Sequence, residues 1–263
     1  MTTDHSNGSR PVKSAQRTVE VLELLARDQG GSSLASIHEQ LGYPKSSLYV
    51  LLQTLVGAGW VETDGTGTRY SVGMRALLVG TAYIDGNDLL ATARPLLGEL
   101  RDSTSETVHI AKLDGSDVVY FATYESKHYL RVYSRVGRRQ PAYTTSLGKA
   151  LLAERSDSEV LALLPQKLVA QTPNSITTRA DLLRDLAETR IRGYALDNQE
   201  NTIGLSCVGV ALHDGGPPVH AVSCSVPIAR LGPGRMEEIA ASLRATCQMI
   251  DDLTARANTR RRS

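Results

Sequence analysis

Two serines stand one residue apart in the run HAVSCSVP, at Ser223 and Ser225. Side chains of a strand alternate between its faces, so the pair shares one face and can hold a carboxylate or a hydroxylated small molecule between two hydroxyls. Cys224, between them, points the other way and reads as a small buried hydrophobe. A second feature is electrostatic. Between Glu125 and Glu154 the chain carries six basic residues, Lys127, Arg131, Arg135, Arg138, Arg139 and Lys149, and no acidic one. Such a segment favours an anionic ligand or partner; the alternative is a basic surface or a subunit interface. A third set suits the edges of bases. In KSSLYVLLQTL, Ser46, Tyr49, Val50 and Gln53 lie opposite Leu48, Leu51, Leu52 and Leu55 on a helical wheel, where they would meet the major groove.

Patterns of catalysis are missing. There is no nucleophile elbow, no zincin or Walker motif and no dinucleotide-binding glycine pattern, and SLGK at 146–149 lacks the earlier glycine of a phosphate loop. Six histidines are scattered without ligand spacing, each reading as a surface or singly hydrogen-bonded imidazole. Three cysteines, Cys207, Cys224 and Cys247, form no CxxC pair, which excludes a disulfide scaffold and a cysteine zinc cluster. No catalytic residue, no metal and no cofactor is expected.

The elements that must position these side chains follow from the periodicity. At 263 residues the chain has room for one or two domains. Hydrophobic residues are 41% and the net charge is +1, so the bulk charge points to no nucleic-acid partner. No run approaches the ~18 apolar residues of a spanning helix. The start, MTTDHSNGSRPVKS, has no apolar core, so a cytoplasmic protein is expected. Residues 1–10 read as a disordered tail. A first helix from Ser14 puts Val19, Leu22, Leu25 and Ala26 on one face and ends at Gly30-Gly31. Ser33 caps a short helix bearing Leu34, Ile37 and Leu41; Gly42-Tyr43-Pro44 forces a turn, and a third helix starts near Lys45. Two short strands follow around the glycine-rich tip 64–67.

That order, over residues 11–73, is the winged helix-turn-helix pattern. Lys45 and Ser47 at the start of the third helix are placed for phosphates, with Arg17 before the core and Arg69 in the wing. A small helical bundle that binds no DNA is the alternative, and charge does not decide, since residues 1–75 hold seven basic and seven acidic side chains. Residues 74–90 read as a helical linker broken at Asp85-Gly86-Asn87, with Pro95 in the first turn of the next helix. In 91–255, strands are predicted at 107–113, 118–124, 128–134, 205–212 and 219–226, and helices at 146–154, 157–163, 179–191 and 233–254. The fold class is α+β with one antiparallel sheet, followed by a basic tail at 256–263.

The segment GYALDNQENTIGLSCVGVALHD resembles the signature of IclR-type transcriptional regulators: Gly193, Asp197, Glu200, then six residues, Cys207-Val208-Gly209 and Leu212-His213-Asp214. The winged helix, the broken linker and GRRQPAYTTSLGKALLAE resemble the same family in the same order. YLRVYSRVGRRQPAYTTSLGKALLAE, TVHIAKLDGSDVVY and SVPIAR look like its 2-keto-3-deoxygluconate repressor branch. The resemblance implies a homodimer, or a homotetramer of two dimers, on a palindromic double-stranded operator. It implies a GAF-like effector-binding domain for a small organic acid. It carries effector contacts onto Ser146, Leu147, Asp197, Cys207, Ser223 and Ser225, with Val132 as a wall.

Val50 stands where relatives often carry arginine; valine can touch a thymine methyl but cannot bond guanine, so the operator sequence is not borrowed from relatives. Asp197 is better suited to a ligand hydroxyl or backbone amides than to an anion, and no histidine is evident beside Cys207 to make it a nucleophile. The expected function is a ligand-responsive repressor of a catabolic operon, with a sugar acid as first candidate effector. Three alternatives stay open: an activator responding to an aromatic or short keto-acid, a small-acid enzyme on a regulator-like core, and a sensor whose DNA contacts have decayed.

Overall fold

A computed structural model describes residues 12–28, 30–129, 135–213 and 216–262. The chain divides into two compact units, the boundary falling between Gly86 and Asn87.

In the first unit, helix α1 (Lys13–Arg27) buries Val21, Leu24 and Leu25. The face is turned from the expected one, for Val19 and Ala26 are exposed. Both sets repeat at three- and four-residue spacing; Val21 and Leu24 prevail because they pack with Ile37, Leu48 and Leu52 in one core. Helix α2 (Leu34–Leu41) is capped by Ser33, whose Oγ accepts from the Ser36 amide at 3.2 Å, and it closes on Gly42 in the left-handed region at φ 71°. Helix α3 (Lys45–Gly57) buries Leu48, Leu52 and Leu55 and half-buries Leu51, as its pattern predicts. Strand β1 (Ser32–Ser33), unforeseen, pairs with β3 (Arg69–Val72), which pairs with β2 (Val61–Thr63) to form the wing. Trp60, the only tryptophan of the chain, packs half-buried against this core. Helix α4 (Met74–Asp85) buries none of its residues.

The second unit opens on α5 (Asp88–Thr104), capped by Asn87, whose Oδ1 accepts from the Leu90 amide at 2.9 Å. Pro95 therefore sits in the helix interior and not in the first turn, since the Asn87-Asp88 start lies a turn and more upstream. A six-stranded antiparallel sheet follows in the order β6-β5-β4-β9-β8-β7. Its strands are β4 (Thr107–Asp114), β5 (Asp117–Tyr124), β6 (Arg139–Pro141), β7 (Ala195–Asn198), β8 (Leu205–Leu212) and β9 (His220–Pro227). Four were expected nearly as found. A strand at 128–134 is not supported where it can be seen: residues 127–129 are bends, 130–134 lie outside the described residues, and the β5 edge is taken by β6. β6 and β7, of three and four residues, carry too little alternation to be read.

Helices α6 (Ser146–Ala153), α7 (Asp157–Leu163) and α8 (Arg179–Arg192) pack on one face of the sheet, over Ala111, Ala211 and Ala221. Helices α5 and α9 (Arg235–Arg262) cover the other face, where Val108, Ile110, Val222 and Cys224 are buried. Two glycines let α6 sit where it does. A Cβ on Gly209 of β8 would collide with the carbonyl oxygen of Ser146, and one on Gly148 would collide with the backbone of Ala142.

Candidate functional site

The face under α6 is apolar at one end of the sheet and polar at the other. Ser223 of β9 is in register with His109 of β4 and Gly209 of β8. Two residues along, Ser225 is in register with Thr107 and Cys207, and Cys207 with Asp197 of β7. The start of α6 lies over this floor, its Thr145 cap accepting from the Gly148 amide at 3.0 Å. Between floor and helix is a small polar cleft. It brings together five of the seven effector positions that the resemblance implied: Ser146, Asp197, Cys207, Ser223 and Ser225. Leu147 is elsewhere, its side chain in the apolar core beneath α6. Val132 lies outside the described residues.

Ser146 and Ser223 are each 2% exposed. Both line the cleft, so their hydroxyls are placed to meet a molecule held there. Cys207 donates to Ser225 Oγ at 3.2 Å, and burial pushes its thiol well above the ordinary range, so it is no thiolate at neutral pH. Asp197 Oδ1 accepts from the amides of Glu200 (2.7 Å) and Asn201 (3.3 Å), the backbone bonding its chemistry suggested. Burial nevertheless raises its carboxyl to about 7.

His109 and Arg138 also line the cleft, and sequence reasoning missed both roles. His109 is singly hydrogen-bonded, Nδ1 to Thr123 Oγ1 at 3.1 Å. Burial, and secondarily the charge of Arg138, push its pKa down to about 3, so the ring is neutral. The signal was available: His109 shares parity with Ala111 and Leu113, the inward face of β4. Little of the basic segment is free. Lys149, fully buried, is paired with Glu200 (2.7 Å) and Asp185 (3.0 Å). Arg139 is bound to Asp114 and Asp117, and Lys127 to Asp102. Of the described members only Arg138 reaches the cleft.

In the first unit α3 presents Ser46, Tyr49, Val50 and Gln53 to solvent, with Lys45 exposed at its start. Arg17 Nη1 donates to Ser47 Oγ at 3.3 Å and its guanidinium lies 4.6 Å over the Tyr43 ring, which fixes both side chains beside the N-terminus of α3. Arg69 is committed within the fold, donating to the carbonyls of Gly30 (3.0 Å) and Gly31 (2.6 Å) and pinning the wing. Among the described residues no group of side chains could hold a metal ion, and no helix is long and apolar enough to cross a membrane.

A winged helix-turn-helix joined to an antiparallel-sheet domain with a polar cleft is the make-up of a DNA-binding transcriptional regulator. The IclR helix-turn-helix domain matches residues 14–65, and the C-terminal domain of bacterial IclR transcriptional regulators matches residues 81–252, so the chain belongs to the IclR family. The transcriptional repressor IclR of Escherichia coli is 33% identical over 88% of this chain and 85% of its own. The regulator KdgR of the same organism is 32% identical over 91% of each chain, in keeping with the branch that the sequence motifs resemble. A solved IclR-type regulator from Alicyclobacillus acidocaldarius, 29% identical, superposes with a TM-score of 0.83, covering 93% of this chain and 100% of its own.

Proposed function

We propose that the protein is a cytoplasmic repressor that holds a palindromic operator as a homodimer or a tetramer of dimers and lets it go on binding a small hydroxylated carboxylic acid. The observation that carries the ligand reading is the convergence of Ser146 from α6, Ser223 and Ser225 from β9 and Asp197 from β7 on one polar cleft. Three supports come from elsewhere. Relatives similar over most of the chain bear repressor names, among them the IclR and AllR proteins. A sugar acid such as 2-keto-3-deoxygluconate is first choice from the branch motifs. The dimer is supported by α4, where Met74, Leu77, Leu78 and Val79 are all more than half exposed, an apolar run suited to a second copy.

Each dimer would set two α3 helices about 34 Å apart, one turn of the duplex. Lys45, Ser47 and Arg17 would then meet phosphates, and Ser46, Tyr49, Val50 and Gln53 would meet bases. A ligand that favours another spacing shifts the population off the operator; coupling of ~1–3 kcal/mol changes occupancy about 5–150-fold. The test is operator binding by fluorescence anisotropy with a panel of sugar acids, keto-acids and aromatic acids. One acid should release the DNA and raise the melting temperature. Replacing Ser223 and Ser225 together by alanine should leave DNA binding intact and blunt that release. Gln53→Ala should weaken operator binding by ~1–3 kcal/mol. Mapping the operator relative to its promoter separates the alternative, an activator whose ligand improves polymerase recruitment.

A further inference from the structure

The two ends of the cleft differ in charge, and the strand order separates them. Arg138 enters on the β6 side, its carbonyl accepting from the Tyr120 amide of β5 at 3.0 Å, while Asp197 belongs to β7 at the opposite edge of the sheet. Among the described lining residues Arg138 is the one cation and Asp197 the one carboxylate. His109 and Ser223, register partners on the two central strands, lie between. The guanidinium of Arg138 rests against Gln140, whose side-chain oxygen, with the amide turned, accepts from both Nε (2.5 Å) and Nη2 (2.6 Å). That contact orients the fork and leaves further donors for a carboxylate. With Nδ1 of His109 on Thr123, Nε2 is the ring nitrogen available to a molecule in the cleft, and a neutral imidazole suits a hydroxyl or keto oxygen. At the far end Asp197 Oδ1 is committed to two amides, so a ligand meets a carboxyl group that can accept from a hydroxyl.

We propose that Arg138 and His109 determine specificity: they orient a linear hydroxylated monocarboxylate with its carboxylate at Arg138 and its terminal hydroxyl at Asp197, and the cleft rejects the dicarboxylate of equal length. The inference rests on the reading of the cleft as an effector site. A second carboxylate would stand against Asp197 with no described lining cation at that end, and specificity built on like charge is a repulsive device.

Gluconate and glucarate differ only in that terminus, as do glycerate and tartronate, and threonate and tartrate. Calorimetry on the full chain at about pH 8, where Asp197 is charged, should show a monocarboxylate of at least one pair binding roughly tenfold or more tighter than its dicarboxylate. Asp197→Asn keeps the Oδ1 acceptor and should bring the two within about threefold. Arg138→Gln and His109→Phe should each weaken the monocarboxylate roughly tenfold with circular dichroism unchanged. Equal binding of both members of a pair, or an Asp197→Asn protein that keeps the preference, overturns the inference. If an acid binds and releases the operator without preference for one terminus, the inference alone falls. If no acid of the panel binds or releases DNA, the effector reading falls with it.

Discussion

Asp197 is held neutral to near pH 7 by burial, against two amide bonds on Oδ1. Glu200, Lys149, Cys207 and Tyr120 are the ionisable groups whose charges bear on it. An unfolded aspartate gives up its proton near about 4. The folded protein keeps that proton to about 7, so between these values it binds more protons than the unfolded chain and its stability falls as pH rises. The melting temperature should drop across this window, and Asp197→Asn should flatten that part of the profile. A profile indifferent to the substitution would show the carboxyl ionised throughout. Legibility at this scale follows chemistry that is local in sequence. Alternation alone put Ser223 and Ser225 on one face. The same rule applied to His109, but Ala111 and Leu113, which follow it on that face, are apolar and made the face read as core. In sequence Lys149 counts toward the basic segment that favours an anionic ligand or partner, because the Glu200 that pairs with it lies 51 residues away.

Among the elements, α6 matters most, because its first residue roofs the cleft while Lys149, one turn later, is tied to Glu200 and to Asp185 of α8. Removing the ammonium would leave Glu200, 7% exposed, as a buried charge without its partner. Lys149→Met should cost about 3–5 kcal/mol of stability, read by denaturant unfolding; a loss below about 1 kcal/mol would mean that water replaces the pair. Gly209→Ala is a separate test of the same seat. The added methyl must push the start of α6 off the floor, so ligand affinity should fall more than stability does, whereas operator binding without ligand should persist. Equal loss of both would make Gly209 a folding residue only. The helices were legible from their patterning, and in the structure Ser156 and Thr178 cap α7 and α8 at the expected starts. β6 and β7 are strands by virtue of their neighbours, and the sheet edges they complete are tertiary facts.

At the scale of the molecule, the chain divides into two units, with the helix-turn-helix before Gly86 and the cleft after it. The order of elements told this much, since a helical connector with a polar break at Asp85-Gly86-Asn87 separates two differently patterned stretches. What it could not supply was the polarity of the cleft, which depends on residues brought to opposite sheet edges from positions 138 and 197.

Trp60 gives this division an optical consequence. The chain's one indole sits in the core of the DNA-binding unit, and the cleft has none among its described lining residues. Excited at the red edge of its absorption, where tyrosine is silent, the protein should emit only from the helix-turn-helix unit. A ligand-induced change in that emission would therefore be a direct signal of one unit informing the other, readable without DNA and without any label. Emission that stays constant while calorimetry records binding would place the transmission outside the core around Trp60.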